Sequence, residues 1–240
     1  MLATSYRYLI NPDQMPLLQA ERITDAESLH RRSGCGESVS RSSSSEVWRQ
    51  AWGEEVVYLK LRLYDPPSWR YLGRASRGWC EWRNYEALSR LGVRGPDLVC
   101  LSEKRSSGRL CWSILVTREV RHSQNLLQRL RQTCSGLSEG QRRSILREVG
   151  RTVRLLHDQD YVLRDGKLRN ILLVEDGDED FTLYFVDCPR GRYRHFLKAR
   201  AVRRDLARLE RDVLKTCSQE EWDMLLEGYS SLSGSSRPKQ

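Results

Sequence analysis

From Tyr161 to Asp187 the chain alternates short apolar runs with polar turns. Tyr161-Val162-Leu163 is followed by Arg164-Asp165-Gly166-Lys167-Leu168-Arg169-Asn170, then Ile171-Leu172-Leu173-Val174, then a turn at Asp176-Gly177-Asp178, then Thr182–Val186 and Asp187. Apolar runs of three to five residues are strand length and too short for helices. Two strands joined by a tight turn bring the outer ends of both segments together. The spacing therefore predicts a hairpin with a polar, acid-bearing loop at its open end.

On either side of this segment the chain changes character. Residues 1–30 carry no clear period. Residues 33–45, SGCGESVSRSSSS, are small and polar and read as a loop. Val47–Ala51 and Val56–Leu61 read as strands joined by a turn at 52–55, with Tyr64-Asp65-Pro66-Pro67 breaking the second. Residues 79–91 predict a helix, with Trp82, Tyr85, Leu88 and Leu91 at helical spacing and Gly92 as its stop. Leu98–Leu101 and Leu110–Val116 predict two more strands about a turn at 104–108. Beyond them the pattern is helical: Ile145, Val149, Val153 and Leu156 share a face of a helix opened by Ser138 and ending near His157. Val202, Leu206, Leu209 and Val213 form a second such face, and Trp222, Leu225 and Leu226 a third. The tail SGSSRPKQ is expected to be disordered.

Length and composition narrow the class. A chain of 240 residues suits one large domain or two lobes sharing a cleft. No apolar run approaches the length of a membrane span. The N-terminal residues lack a basic stretch leading into an apolar one, so no secretory leader is expected. The seven cysteines are scattered and form no C-x-x-C pair, which points to reduced thiols rather than zinc or a disulfide framework. The net charge of +9 is carried mostly by arginine and suits an anionic partner: a small substrate, a nucleic acid or a membrane face. Aromatic residues do not interleave with the basic stretch 190–204, so nucleic acid is ranked below the others.

Asp165, Lys167, Asn170 and Asp187 together resemble the catalytic set of protein kinases: an Asp base, a Lys two residues on, an Asn five residues on, and a strand-terminal Asp. Phosphoryl transfer needs a carboxylate to accept the proton of the acceptor hydroxyl. It also needs an amide oxygen and a second carboxylate to hold magnesium against ATP. The resemblance implies Asp165 and Lys167 as catalytic residues and Asn170 and Asp187 as metal ligands. It also implies Lys60, on an apolar strand, as the grip on the ATP phosphates. Its partner would be a helix glutamate, Glu81 or Glu86.

At the level of family the chain is similar to the bacterial lipopolysaccharide core kinases, the Kdo and heptose kinases, over roughly residues 46–215. EWRNYEALSRLGV (81–93), ILVTREV (114–120), LREVGRTVRLLHDQDYVLRDGKLRN (146–170) and LYFVDCPRG (183–191) carry the likeness. The register of the first of these favours Glu81 over Glu86. The resemblance implies an α+β, two-lobed protein-kinase-like fold. Its N-lobe (1–118) would be a small antiparallel sheet with one helix, and its C-lobe (119–231) mainly helical, followed by a tail at 232–240. It implies ATP and Mg2+ as cofactors and an anionic glycolipid or sugar as acceptor. A cytoplasmic placement with peripheral contact to the inner membrane surface follows. RRDLARLERD (203–212) resembles the helix whose Asp braces the catalytic loop, here Asp205, and His157 is read as a packed, hydrogen-bonded histidine. The chain departs from kinases at Leu163, which stands where a His is usual, and at Cys188-Pro189, which replace Phe-Gly. No G-x-G-x-x-G precedes Lys60. Ser43 and Ser44, within Ser42–Ser45, stand where phosphate-binding glycines would, and a flexible serine linker is the other reading. Two alternatives stay open: another small-molecule kinase of this fold, or a pseudokinase serving as a binding module.

Overall fold

The computed structural model describes residues 3–132, 136–177, 180–196, 198–215 and 217–231. The expected disordered tail lies outside them, as do Cys134 and Asp178. The chain divides into two compact units. The first comprises the residues up to Tyr85 together with Pro96–Val120, and the second Glu86–Gly95 together with the chain from Arg121 onward.

In the first unit a six-stranded antiparallel sheet runs in the order β1-β5-β6-β4-β3-β2. The strands are β1 (Thr4–Ile10), β2 (Glu37–Arg41), β3 (Ser45–Trp52), β4 (Glu55–Ser68), β5 (Leu98–Ser106) and β6 (Arg109–Arg118). Alternation along β4 decides what each face meets. Val57, Leu59 and Leu61 join an apolar core with Leu18, Ile23 and Leu29 from the first thirty residues. Those residues form α1 (Met15–Ala20) and α2 (Ala26–Arg32), so the stretch without a clear period supplies an edge strand and the cover for one sheet face. Lys60 and Arg62 point the other way, toward α3 (Arg77–Arg90).

Three expected loops are shorter than predicted. Within 33–45, residues 37–41 form β2, leaving only Ser42–Ser44 as the turn into β3. Every residue of β2 is exposed, so it has no apolar alternation to announce it. Tyr64–Pro67 does not end β4: the ladder with β6 lapses after Leu63 and resumes at Ser68, a bulge that tolerates prolines. The turn between β5 and β6 is only Ser107-Gly108, with Ser106 opposite Arg109. Both turn residues take positive φ, 48° and 76°, as the tightest hairpins require.

The second unit is mainly helical. The helix α5 (Glu139–Asp158) is capped by Ser138, whose hydroxyl accepts from the Gln141 N–H while the Gln141 side chain accepts from the Ser138 N–H. Its Ile145, Val149, Val153 and Leu156 are buried, and it packs along α7 (Gln219–Ser231). The remaining elements are β7 (Ser123–Asn125), α4 (Leu126–Arg131), β8 (Tyr161–Val162), β9 (Ile171–Glu175), β10 (Phe181–Phe185), β11 (Arg192–Tyr193) and α6 (Lys198–Val213). A three-stranded sheet β10-β9-β7 and the β8–β11 pair present the loop 163–170. No helix among the described residues is long and apolar enough to cross a membrane.

Candidate active site

In the first unit, Lys60 Nζ lies 3.1 Å from Glu81 Oε1, and Arg62 lies 3.0 Å from Glu81 Oε2. The Tyr85 hydroxyl donates to Oε1 at 3.2 Å. Glu81 is only 2% exposed, whereas Glu86 is exposed on the same helix. Burying a carboxylate this deep is costly unless cations and donors surround it, and here two strand cations and a tyrosine hydroxyl do so. Ser43 and Ser44 sit at the exposed tip of the β2–β3 hairpin. The turn closes on itself, with the Ser42 N–H donating to the Ser45 carbonyl at 2.8 Å and the Leu63 N–H donating to the Ser44 carbonyl at 3.2 Å. Because Ser45 pairs with Arg62, this turn lies at the Arg62 end of the strand that carries Lys60.

In the second unit the loop after β8 turns sharply. Arg164 takes a left-handed φ of 62°, costly for a residue with a side chain. Asp205, buried on α6, fixes it: one carboxylate oxygen accepts from the Arg164 N–H at 2.7 Å and the other from the Leu163 N–H at 2.8 Å. His157 Nε2 is 3.3 Å from the same carboxylate, and its Nδ1 is 3.0 Å from the Tyr229 hydroxyl. A carboxylate only accepts, so Nε2 carries the proton of that contact. Two helical turns further along α6, Asp212 accepts from the Leu168 N–H at 3.2 Å. One helix thus holds the loop at both ends.

Within this frame Lys167 Nζ lies 2.6 Å from Asp165 Oδ1, and both side chains remain partly exposed. The Asn170 side-chain N–H donates to the Asp165 carbonyl at 3.2 Å, which turns its amide oxygen the other way. Pairing of Ile171 with Phe185 places Asn170 beside Val186, whose N–H donates to the Asn170 carbonyl at 2.9 Å. Asp187 is the next residue, and its φ of 52° is also left-handed. Asn170 and Asp187 therefore share the open end of one hairpin. Both offer oxygen, the donor a hard divalent cation takes. Among the described residues no three His, Cys, Asp or Glu side chains converge on a metal-sized site. One amide and one carboxylate suit Mg2+ that takes its remaining ligands from water and phosphate.

Two contributors lay outside the sequence reading. Arg62 follows Lys60 by two residues, and a strand's period of two puts both on one face. Asp212 follows Asp205 by seven, and two helical turns put both on one face of α6. Both spacings are visible in the sequence once the element type is known.

The chain matches the model of the lipopolysaccharide kinase (Kdo/WaaP) family over residues 63–229, which include Glu81, Asp165, Lys167, Asn170, Asp187 and Asp205. No curated protein sequence matches it significantly. Among solved structures it resembles that of WaaP in complex with acyl carrier protein, with a TM-score of 0.69 and 21% identity over 93% of this chain and 88% of that one. At that identity the likeness speaks for the protein-kinase-like fold. The family match, spanning more than two thirds of the sequence, speaks for the activity: the chain belongs to the Kdo/WaaP family of lipopolysaccharide kinases and is a phosphotransferase.

Proposed function

We propose that the protein transfers the γ-phosphate of ATP to a sugar hydroxyl of the lipopolysaccharide inner core. The observation that carries this reading is the loop 163–170. It is held by Asp205 and Asp212, and it presents Asp165 and Lys167 one turn before Asn170 at the hairpin end that also bears Asp187.

Asp165 accepts the proton of the acceptor hydroxyl as that oxygen attacks phosphorus. Lys167, already against Asp165, orients it and offers its ammonium to the transferring phosphoryl group. Lys60, steadied by Glu81, binds the α- and β-phosphates, and the backbone of Ser43 and Ser44 offers donors to phosphate in place of glycines. Asn170 and Asp187 would hold Mg2+, which when bound neutralises charge on the nucleotide phosphates. The acceptor is anionic, in keeping with a chain of net charge +9, and the basic stretch after Asp187 draws it, or an acidic inner-membrane surface, toward the second unit.

Mass spectrometry of lipopolysaccharide core from cells lacking the chain tests this. Loss of one core phosphate is expected, restored by the wild-type chain and not by Asp165→Asn. An unchanged core would sink the reading.

A further inference from the structure

Outside the Asp165–Asp187 set, the second unit contains a cavity of about 150 Å3 walled by Arg164, Arg194, Arg200, Arg204 and Arg208, with Phe196 beside them. Arg200, Arg204 and Arg208 stand four residues apart and so form one stripe along α6. The buried face of the same helix carries Asp205 and Leu209. No carboxylate among the described residues forms an ion pair with any of the five guanidinium groups. Arg208 donates to the Arg164 carbonyl at 3.5 Å, leaving most of its donors for other partners. The nearby Lys198 differs, being engaged by Asp160 at 2.7 Å.

Like charges four apart on a helix destabilise it, and this helix keeps two such pairs in a row. Burial, then Arg208, Arg194 and Arg190, depress the pKa of Arg164, and Asp205 opposes them. A guanidinium keeps its proton near neutral pH, so the crowding remains as repulsion that an anion would relieve. Size decides what kind of anion. Pockets for drug-sized ligands run to about 300–1,000 Å3. At about 150 Å3 this one is half the lower figure, too small to enclose a nucleotide and large enough for one oxyanion group. Forked guanidinium donors match phosphate and carboxylate oxygens.

We propose that these five arginines form an oxyanion subsite that holds a phosphate-monoester or carboxylate group carried on the sugar acceptor. Arg164 precedes Asp165 directly, so a group held here tethers the acceptor beside the proposed base. The identity of the acceptor rests on the kinase reading, whereas the pocket is tested without turnover.

Inorganic phosphate and glucose 6-phosphate are titrated into the full chain at constant ionic strength by calorimetry, with glucose as the uncharged control. The Arg200→Gln/Arg204→Gln variant should weaken both anions at least tenfold. An Arg131→Gln/Arg143→Gln variant, which removes the same charge from exposed positions on α4 and α5 outside the pocket and the basic stretch, should change them less than twofold. MgATP binding should be the same in all three proteins, showing that the variants are folded. Equal weakening by both variants, or no saturable phosphate binding to the wild type, overturns the subsite. So does binding of free phosphate with exclusion of glucose 6-phosphate, which would leave no room for an acceptor-borne group. Arginine-dependent sedimentation with phosphatidylglycerol vesicles without saturable phosphate binding also overturns it, in favour of a membrane contact. Phosphate binding lost in the pocket variant, with no MgATP binding in any protein, supports the subsite while defeating the kinase reading.

Discussion

Arg62 lies 3.0 Å from the Glu81 oxygen that Lys60 does not take. Glu81 is thereby shared between two cations of one strand. A carboxylate served by two cations holds Lys60 less exclusively than one served by Lys60 alone, which lowers the cost of shifting the ammonium toward phosphate. Arg62→Met should draw Lys60 onto Glu81 and raise the dissociation constant for MgATP, while costing about 1–3 kcal/mol of stability. Arg62→Lys should recover part of both. Glu81→Gln should weaken MgATP as well, and Glu86→Gln, at an exposed position, should do nothing. Nucleotide titration with parallel urea unfolding reads both effects. Wild-type MgATP affinity in Arg62→Met would remove Arg62 from this role.

Asp205 satisfies two backbone N–H groups of the loop and one imidazole N–H from a site that is 6% exposed. Asp205→Ala strips all three donors at once. Each stranded donor costs about 1–3 kcal/mol, so a loss of at least about 3 kcal/mol is expected, together with loss of phosphate transfer. Asp205→Asn keeps one acceptor oxygen and should fall between. Urea midpoints of the three proteins order them, and equal midpoints for Asp205→Ala and wild type would show that the loop stands without this brace.

Helices α5 and α7 touch through glycines. A Cβ on Gly228 would stand 1.9 Å from the Arg147 carbonyl oxygen, and one on Gly150 would stand 2.0 Å from that of Leu225. Both obstacles are backbone, so the helices would have to part. In an open helix Gly→Ala gains roughly 0.5–1 kcal/mol. Here overpacking of about 1–3 kcal/mol outweighs it. Gly228→Ala and Gly150→Ala should lower the melting temperature. Gly140→Ala, whose Cβ would meet nothing nearer than the Ser138 hydroxyl at 3.9 Å, should hold or raise it. The opposite signs make the contrast decisive.

What could be read from the sequence follows from where apolar residues carry a period. Helix α5 announces itself through Ser138, Gln141 and the face Ile145–Val149–Val153–Leu156, and β9 and β10 through runs of branched and aromatic residues. The placement of Asn170 and Asp187 at one hairpin end was legible because the apolar runs between them are strand length and pair. Strand β2 was not, since Glu37–Arg41 faces solvent on every side chain and its pairing with β3 leaves no mark on composition. The cover formed by α1 and α2 was hidden for a related reason: each helix is only six or seven residues long, under two turns, too short to show a period. The arginine pocket was half visible. The stretch from Arg190 to Arg204 stood out as basic, but Arg164 and Arg208 reach it only through the fold.

The roles proposed for the loop separate cleanly by measurement. Asp165 acts in the chemical step, so Asp165→Asn should lower kcat by about 10²–10⁴ and leave the MgATP dissociation constant nearly unchanged. Asn170 and Asp187 act through the cation. Asn170→Ala and Asp187→Ala should shift the magnesium dependence of both nucleotide binding and turnover to higher concentration, the Asp187 change more steeply because it removes a charge as well as an oxygen. Asn170→Ala also removes the hydrogen bond to the Asp165 carbonyl, so its kcat should fall even at saturating magnesium. Chelation with EDTA should abolish transfer by the wild type and leave urea stability unaltered, since Asp205 and Asp212 hold the loop without the cation. A magnesium titration that superimposes wild type, Asn170→Ala and Asp187→Ala would show that the hairpin end is not the metal site, whatever becomes of Asp165.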